Sequence, residues 1–299
     1  MFTIIGIVVV FGSIIAGYLM EHGKMAVLFQ PAELVIIFGA AVGTVFIANP
    51  LPVLIKMGKG IAGAFGSSPY TKVFYLEVLK MLFELFQVAR KQGLMKLEAD
   101  VEDPEKSAVF SKYPKFLKDH HAVHFVCDTL RMSISGGIGA FDLDQMMEAD
   151  MDVHHHEANA PVQALSTMAD SLPGLGIVAA VLGVVITMGA LGGPPEEIGH
   201  KVAAALVGTF LGILLCYGLF GPLAANMGKA NEGEHTYYLV LRTAITSSIK
   251  GFAPIMAVEF ARRTVPGLVR PTFQEMEQNC KGGGAPPKEG GEAPPKEGG

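Results

Sequence analysis

Charged side chains are scarce in this sequence of 299 residues. Asp, Glu, Lys and Arg make up 17% of the chain, whereas hydrophobic residues make up 50%. A soluble domain of this length needs more polar surface, because its outside must be hydrated. The shortage of charge argues against an ordinary soluble protein and points to a lipid bilayer around part of the chain.

Cysteine and clustered basic residues are also too few for two further classes of protein. The three cysteines, Cys127, Cys216 and Cys280, are far apart and odd in number. We therefore expect reduced thiols rather than a disulfide framework or a zinc site. The net charge of -5 comes without a dense basic stripe, which argues against a nucleic-acid partner.

Four long runs contain no charged residue at all. A hydrocarbon core about 30 Å thick takes about 20 helical residues, and the runs 1–20, 34–55, 171–195 and 202–228 reach that length. The first run lacks the positively charged start of a cleaved signal peptide, so we count it as a span. The sequence predicts an all-α integral membrane protein with four transmembrane helices and a helical cytoplasmic domain.

The positions of the basic residues predict the orientation of the spans. Of the 23 Lys and Arg residues, only Lys24 and Lys201 lie in the short connections after spans one and three. Basic loops tend to stay in the cytoplasm. We therefore expect the long connection, the C-terminal segment and both termini to be cytoplasmic.

These expectations divide the chain into five segments. The last contains the sequence APPKEGG twice, and a tract so rich in Pro and Gly cannot bury a core. The predicted segments are transmembrane helices one and two at 1–58, a cytoplasmic helical domain at 59–170, transmembrane helices three and four at 171–228, cytoplasmic C-terminal helices at 229–280, and a disordered tail at 281–299.

Several cytoplasmic helices can be predicted from the spacing of apolar residues. Residues 73–91 place polar side chains at intervals of three and four, which predicts an amphipathic helix. Gly136 and Gly137 should interrupt the next helical stretch. Two separate helices are expected after span four, at 235–250 and 254–264.

The region before span three carries a helix start and a helix breaker. Asp142 with Gln145 three residues later resembles a capping pair that opens a helix toward Glu157. Pro161 should kink or break that helix. The run His154 to Glu157 does not point to a metal site, because consecutive helical residues point about 100° apart.

Spans three and four are rich in small residues, which allow close helix packing in lipid. None of the four runs contains a titratable acid, base or histidine, although an ion pathway normally needs such a group. If ions cross here, another chain must supply it. Thr187 and Thr209 offer the main side-chain oxygens in spans three and four, although such a hydroxyl usually bonds back to its own helix.

Pro173 and Pro222 are candidates for a hinge between spans three and four. Both lie near the predicted cytoplasmic ends, at similar depth if the helices are antiparallel. Pro173 could simply occupy the first turn of a helix, whereas Pro222 should bend span four. Arg90 and Glu98 are ordinary surface charges by themselves, about 80° apart if one helix continues through Gly93.

Four stretches make the sequence similar to the MotA family of bacterial flagellar stator subunits. They are DSLPGLGIVAAVLGVV, VGTFLGILLCYGLFGPLA, HHHEAN and FAPIMAVEFARR. The resemblance extends from Met1 to about Gln278 and leaves out the repeated tail. It implies a multi-pass protein of the bacterial inner membrane that is not an enzyme and needs no cofactor.

The resemblance also implies partners and an assembly. Five such chains, a homopentamer, would surround two MotB-like chains, each with a single span whose Asp binds the ion. Ion passage would turn the ring against the rotor switch protein of the flagellar motor. Pro173, Pro222 and Thr209 would belong to the ion pathway and hinge, and Arg90 and Glu98 would contact the rotor.

The resemblance bears on the choice of ion as well. Sodium-driven relatives carry a Thr about six residues after the proline of span three, where this chain has Ala179 and Ala180. Sodium requires several oxygen ligands, so we expect protons. Thr187 and Tyr217 complete the candidate pathway residues.

Three alternatives stay open at this point. An energy-coupling subunit of the ExbB or TolQ type shares the ring architecture, but such proteins typically have three spans. A membrane scaffold without ion flow would explain the small residues but not the paired prolines. A hydrolytic enzyme is least favoured, because the sequence offers no nucleophile or phosphate-binding loop in a suitable setting.

Overall fold

The protein is helical throughout the part that the structure describes. The structure is a computed structural model and describes residues 2–189, 192 and 194–282, within which no β-strand occurs. The all-α prediction is confirmed. Apart from Lys281 and Gly282, the predicted tail at 281–299 lies outside the described residues. The α-helices are α1 Phe2–Met20, α2 Met25–Leu28, α3 Pro31–Ala48, α4 Leu51–Gly63, α5 Lys72–Gln92, α6 Glu98–Glu102, α7 Pro114–Leu117, α8 His120–Ser135, α9 Ala140–Met188, α10 Pro195–Leu215, α11 Gly221–Ile249, α12 Pro254–Thr264 and α13 Phe273–Cys280.

Four stretches of helix are long and apolar enough to cross a membrane. They are Phe2–Met20, Met25–Ala48, Ala140–Met188 and Pro195–Ile249. The predicted number of spans is therefore confirmed. We call them span one to span four in chain order.

The chain forms two compact units. Unit 1 comprises residues 2–67 and 155–231 and contains the apolar parts of all four spans. Unit 2 comprises residues 68–154 and 232–282. The helices α9 and α11 contribute to both units. The predicted segment borders at 58, 170 and 228 refer to the membrane surface and stay predictions.

Glycine brings spans three and four into backbone contact in unit 1. A Cβ added to Gly212 would lie 2.5 Å from the carbonyl oxygen of Leu172. One added to Gly176 would lie 2.8 Å from the carbonyl oxygen of Gly208. Because glycine has no side chain, the two helices can approach closely at these positions, as is common in lipid.

Span two packs beside this pair along one face. Its buried residues Ile37, Ala41 and Val45 recur every four positions and so form a single stripe. The stripe joins a core that includes Leu165 and Leu172 of α9.

Unit 2 is organised around α5, as its amphipathic pattern predicts. The Thr71 hydroxyl accepts a hydrogen bond from the backbone N–H of Phe74 and caps the start of the helix. The helix ends before Gly93, which has a φ of +86°. Its apolar face packs against α12 and α13, and the aromatic rings of Phe74 and Tyr237 lie 5.1 Å apart. The predicted helix at 73–91 is confirmed to within one residue at each end.

Glycine and proline mark helix boundaries in unit 2 where the sequence predicts them. Gly136, with a φ of +76°, terminates α8, and Pro254 occupies the first position of α12.

At the end of span two, however, the predicted boundary at residue 55 is wrong. The helix stops at Ala48, because Asn49 precedes Pro50 and adopts an extended conformation.

The two long helices differ most from the predictions. The helix α9 begins at Ala140 rather than at Asp142 and continues to Met188. The predicted break at Pro161 is therefore wrong, and Pro173 lies inside a helix rather than in a first turn. Each proline removes one backbone hydrogen bond, and the packing of neighbours such as Leu165 maintains the helix.

Span four also continues further than predicted. The separate helix expected at 235–250 is wrong, because α11 runs unbroken from Gly221 to Ile249. Gly233, within the expected connection, is helical and packs closely on Tyr70, whose Cδ2 would lie 2.9 Å from an added Cβ. Tertiary packing here outweighs the low helix propensity of glycine.

An ion pair joins α9 to α11 within unit 2, outside the apolar parts of the spans. Arg242 Nε donates to Asp144 Oδ1 at 2.8 Å, and the Thr246 hydroxyl donates to the same oxygen at 3.0 Å. Hydrogen bonding from Arg242 is the main cause that lowers the pKa of Asp144. Both side chains are half-buried, and removal of the carboxylate would leave Arg242 and Thr246 without this acceptor, so its loss should destabilise the native unit.

We predict that Gly212→Val lowers the amount of folded chain in the membrane, because the new side chain would meet the backbone of Leu172. Overpacking of this kind costs about 1–3 kcal/mol or more. The level of full-length protein in membrane fractions measures the effect. Gly39→Val is the matched control, since an added Cβ meets nothing there within 4 Å. Equal levels of the two variants would contradict the glycine contact.

We predict that Asp144→Asn lowers the Tm of the detergent-purified chain, measured by circular dichroism, by the equivalent of about 1–3 kcal/mol. Because the native pKa of Asp144 is lowered, its contribution is present above the unfolded pKa and is lost as the pH falls below about 4. The Tm difference should therefore shrink in acid. Asp152→Asn, an exposed change on the same helix, should leave the Tm unchanged. A difference that stays constant down to low pH would argue against this ion pair.

Candidate functional site

The two candidate prolines, Pro173 in span three and Pro222 in span four, lie at different depths. Leu172 lies level with Gly212, and Pro222 follows Gly212 by ten residues, or about 15 Å along the helix axis. The expectation of similar depth is therefore wrong for Pro173 and Pro222. The reason is that the glycine contact sets the register of the two helices.

Pro222 nevertheless follows an irregular turn in span four. Residues Cys216–Phe220 form a π-helix between α10 and α11, and the backbone N–H of Gly221 bonds to the carbonyl of Cys216. A π-helical turn accommodates a proline ring that would otherwise clash with the carbonyl four residues earlier. The predicted disturbance of span four thus takes the form of a π-helix. Tyr217 lies within it and is 72% exposed.

The two candidate hydroxyls have different environments. Thr187 is buried, and its hydroxyl donates to the carbonyl oxygen of Gly183 at 2.8 Å. That bond within its own helix occupies the proton of the hydroxyl. Thr209 is half-buried on α10, directly after Gly208.

The two alanines after Pro173 also differ. Ala179 is completely buried and faces Gly208, since its Cβ would lie 3.2 Å from a Cβ added to that glycine. Ala180 is half-buried. Neither side chain offers an oxygen atom to a cation.

A buried carboxyl group lies beside these residues and was not predicted from the sequence. The prediction began span two at residue 34 and so found no titratable group in any span. In the structure α3 begins at Pro31, which places Glu33 in its first turn. Glu33 is buried, and its Oε2 lies against Gly208. Pro31 at a favourable first helical position is the signal that would have revealed it.

The C-terminal half of span three is largely exposed. It buries Ala179 and Thr187, whereas Val181, Val185 and Ile186 are exposed. Such a large apolar surface must face lipid or other chains.

The candidate rotor residues lie in an exposed segment of unit 2, residues 90–98. Arg90 is in the last turn of α5 and Glu98 is the first residue of α6. The suggestion that one helix carries both is wrong, because the chain turns at Gly93. Both charged residues are exposed, and so are Leu94 and Met95 between them. Among the described residues, no cluster of His, Cys, Asp or Glu could hold a metal ion.

Two protein-family profiles match the sequence. The profile of the Motility protein A N-terminal region matches residues 4–93, and that of the MotA/TolQ/ExbB proton channel family matches residues 118–237. The stretches that carried the resemblance in spans three and four fall within the second match.

Known proteins and structures agree with these profiles. Motility protein A of Escherichia coli is 38% identical over 94% of this chain and 95% of its own length. Chemotaxis protein LafT of Vibrio parahaemolyticus is 33% identical over 92% of this chain and 96% of its own.

Two solved structures share the fold. The C. jejuni MotAB structure superposes with a TM-score of 0.73 at 18% identity, covering 89% of this chain and 95% of that one. The flagellar MotAB stator complex from Bacillus subtilis gives 0.69 at 26% identity, covering 86% and 92%. On the strength of its identity to Motility protein A over nearly the full length, the chain belongs to the Motility protein A family.

Proposed function

We propose that this chain is the channel-forming subunit of a bacterial flagellar stator and converts a proton gradient into torque. Five copies would surround two MotB-like chains, each supplying an Asp in its single span. The observation that best supports this proposal is that spans three and four pack tightly through glycine, while the C-terminal half of span three keeps a large exposed apolar surface. That surface suits neighbouring chains in a ring.

The proposal places the chain in the inner membrane with both termini in the cytoplasm. The distribution of basic residues supports this orientation, because Lys56 and Lys59 follow span two directly and Lys229 follows the predicted end of span four. Unit 2 would then face the rotor.

Protons suit the described pathway better than sodium ions. Sodium needs several oxygen ligands, but Ala179 provides none and the Thr187 hydroxyl is bonded within its helix. A proton needs only a carboxylate and water. Thr209 would contact the partner's Asp, and changes in that contact would move span three at Pro173 and span four at Pro222.

The rotor contact is proposed at the exposed segment from Arg90 to Glu98. A positive and a negative charge flank two exposed apolar side chains, Leu94 and Met95. An apolar centre with a charged rim is a common composition for an interface. Complementary charges on the switch protein would set the register of each step.

An ExbB- or TolQ-type role is less well supported. The chain has four candidate spans, and its N-terminal 4–93 region matches the profile specific to Motility protein A.

Reversing both rotor charges together, Arg90→Glu with Glu98→Lys, should impair torque and leave membrane assembly intact. Stall torque in tethered cells and the amount of chain in the membrane are the two readouts. The control pair Glu105→Lys with Lys118→Glu reverses exposed charges elsewhere on unit 2 and should leave torque unchanged. Normal swimming with both rotor charges reversed would refute this contact.

Cells that depend on this chain should keep swimming when sodium is removed and stop when a protonophore collapses the proton gradient. The reason is that sodium needs several oxygen ligands, whereas the side chains of Ala179 and Ala180 offer none. Swimming speed measured by video microscopy gives the answer. Loss of swimming on sodium removal alone would overturn the choice of protons.

A further inference from the structure

The carboxyl group of Glu33 is buried without a partner at one oxygen. The residue is 7% exposed, and Oε2 has no hydrogen-bond partner among the described residues. Burying a carboxyl group unpaired carries a large free-energy cost, so such groups normally bind something. For a carboxyl, the candidates are a proton, water or a cation.

The position of this oxygen links it to the candidate ion pathway. A Cβ added to Gly208 would lie 2.6 Å from Glu33 Oε2 and 3.2 Å from the Cβ of Ala179. The carboxyl therefore lies where spans two, three and four meet. Thr209, the candidate pathway hydroxyl, is the residue that follows Gly208.

The Glu33 carboxyl lies level with the apolar part of span four, beside Gly208. Gly208 follows Lys201 by seven residues, which corresponds to about 10 Å along the helix. No residue at 202–215 of span four or at 171–188 of span three is titratable, and neither is any residue of α2, which also packs against α10. The nearest titratable groups along α10 are His200 and Lys201. Nothing charged on the packed helices competes with Glu33 for a proton at this depth.

Glycine at position 208 makes room for the carboxyl. A Cβ at position 208 would lie 2.6 Å from Oε2, so a larger residue there would displace the carboxyl from its present place. If Gly208 only served close helix packing, an apolar residue at position 33 would fit as well. A carboxyl buried there destabilises the fold, so packing alone does not explain it.

We propose that Glu33 carries protons through the outer part of the pathway, from water on the outer side toward the partner's Asp. The inference rests on the proposed function. In the first step an O–H bond of a hydronium ion breaks as an O–H bond forms on the Glu33 carboxylate, which leaves one water molecule. In the second step that proton moves to the next water or to the partner's carboxylate, and Glu33 regains its charge.

The test compares variants of Glu33 in cells that lack their own copy of this chain and produce its partner normally. Glu33→Gln keeps the shape and hydrogen-bonding capacity but cannot carry a proton, whereas Glu33→Asp keeps the carboxyl. Rotation of tethered cells is measured against external pH, together with the amount of chain that co-purifies with its partner. Glu196→Gln is the control, because it removes an exposed carboxyl from the outer end of α10.

Glu33→Gln should slow rotation at least about tenfold with assembly unchanged, since positioned proton-transfer groups contribute about 100-fold or more. Glu33→Asp should rotate faster than Glu33→Gln and shift the external pH at which rotation fails. Glu196→Gln should match the wild type. A Gln variant that assembles and rotates at the wild-type rate over the same pH range would overturn the proposal, because a structural carboxyl tolerates that exchange.

Two further outcomes keep the test decisive. If Glu33→Gln does not accumulate, the pH dependence of Glu33→Asp decides, and an unchanged dependence overturns the role of Glu33. If the wild-type chain restores no rotation at all, the stator proposal itself fails. That result is distinct from a failure confined to the Glu33 variants.

Discussion

The backbone contact between spans three and four is the constraint on which the rest of unit 1 depends. Gly176 and Gly212 bring the helices so close that a single methyl group on either would meet main-chain atoms. In lipid there is little hydrophobic driving force between helices, so close van der Waals contact has to hold them together. This contact also fixes the register, which places Pro173 level with Gly212 rather than with Pro222.

The same contact separates the surfaces of span three. In the C-terminal half of this helix, the face with Ala179 and Thr187 packs inside the chain, and the other faces are apolar and exposed. A helix so exposed in one chain suits an assembly in which other chains cover part of it. The contact also exposes the backbone of Gly208 to span two, where Glu33 occupies the space.

The number and type of the membrane helices could be predicted from the sequence, because charge-free runs of about 20 residues are rare outside membrane spans. The amphipathic helix α5 was equally predictable, since its pattern repeats over five turns and Gly93 marks its end. Helix continuity was harder to predict. Pro161 and Gly233 weaken a helix locally, but packing in the folded chain maintains it.

The candidate site was predictable in its residues but not in its geometry. Pro173, Pro222, Thr209 and the two alanines came from the sequence and the family resemblance. Their depths depend on helix register, which spacing along one chain cannot give. Glu33 was missed for a related reason, because a carboxylate beside an apolar run ordinarily marks the membrane surface, and only the packing against Gly208 shows that it is buried.

The proposed function requires that this chain form one part of a proton channel and that a partner complete it. Proton uptake into liposomes containing purified protein tests this most directly, with an internal pH dye as the readout. We expect uptake with this chain and its single-span partner together, and none with this chain alone or with the partner's Asp replaced by Asn. Equal uptake by this chain alone would contradict it.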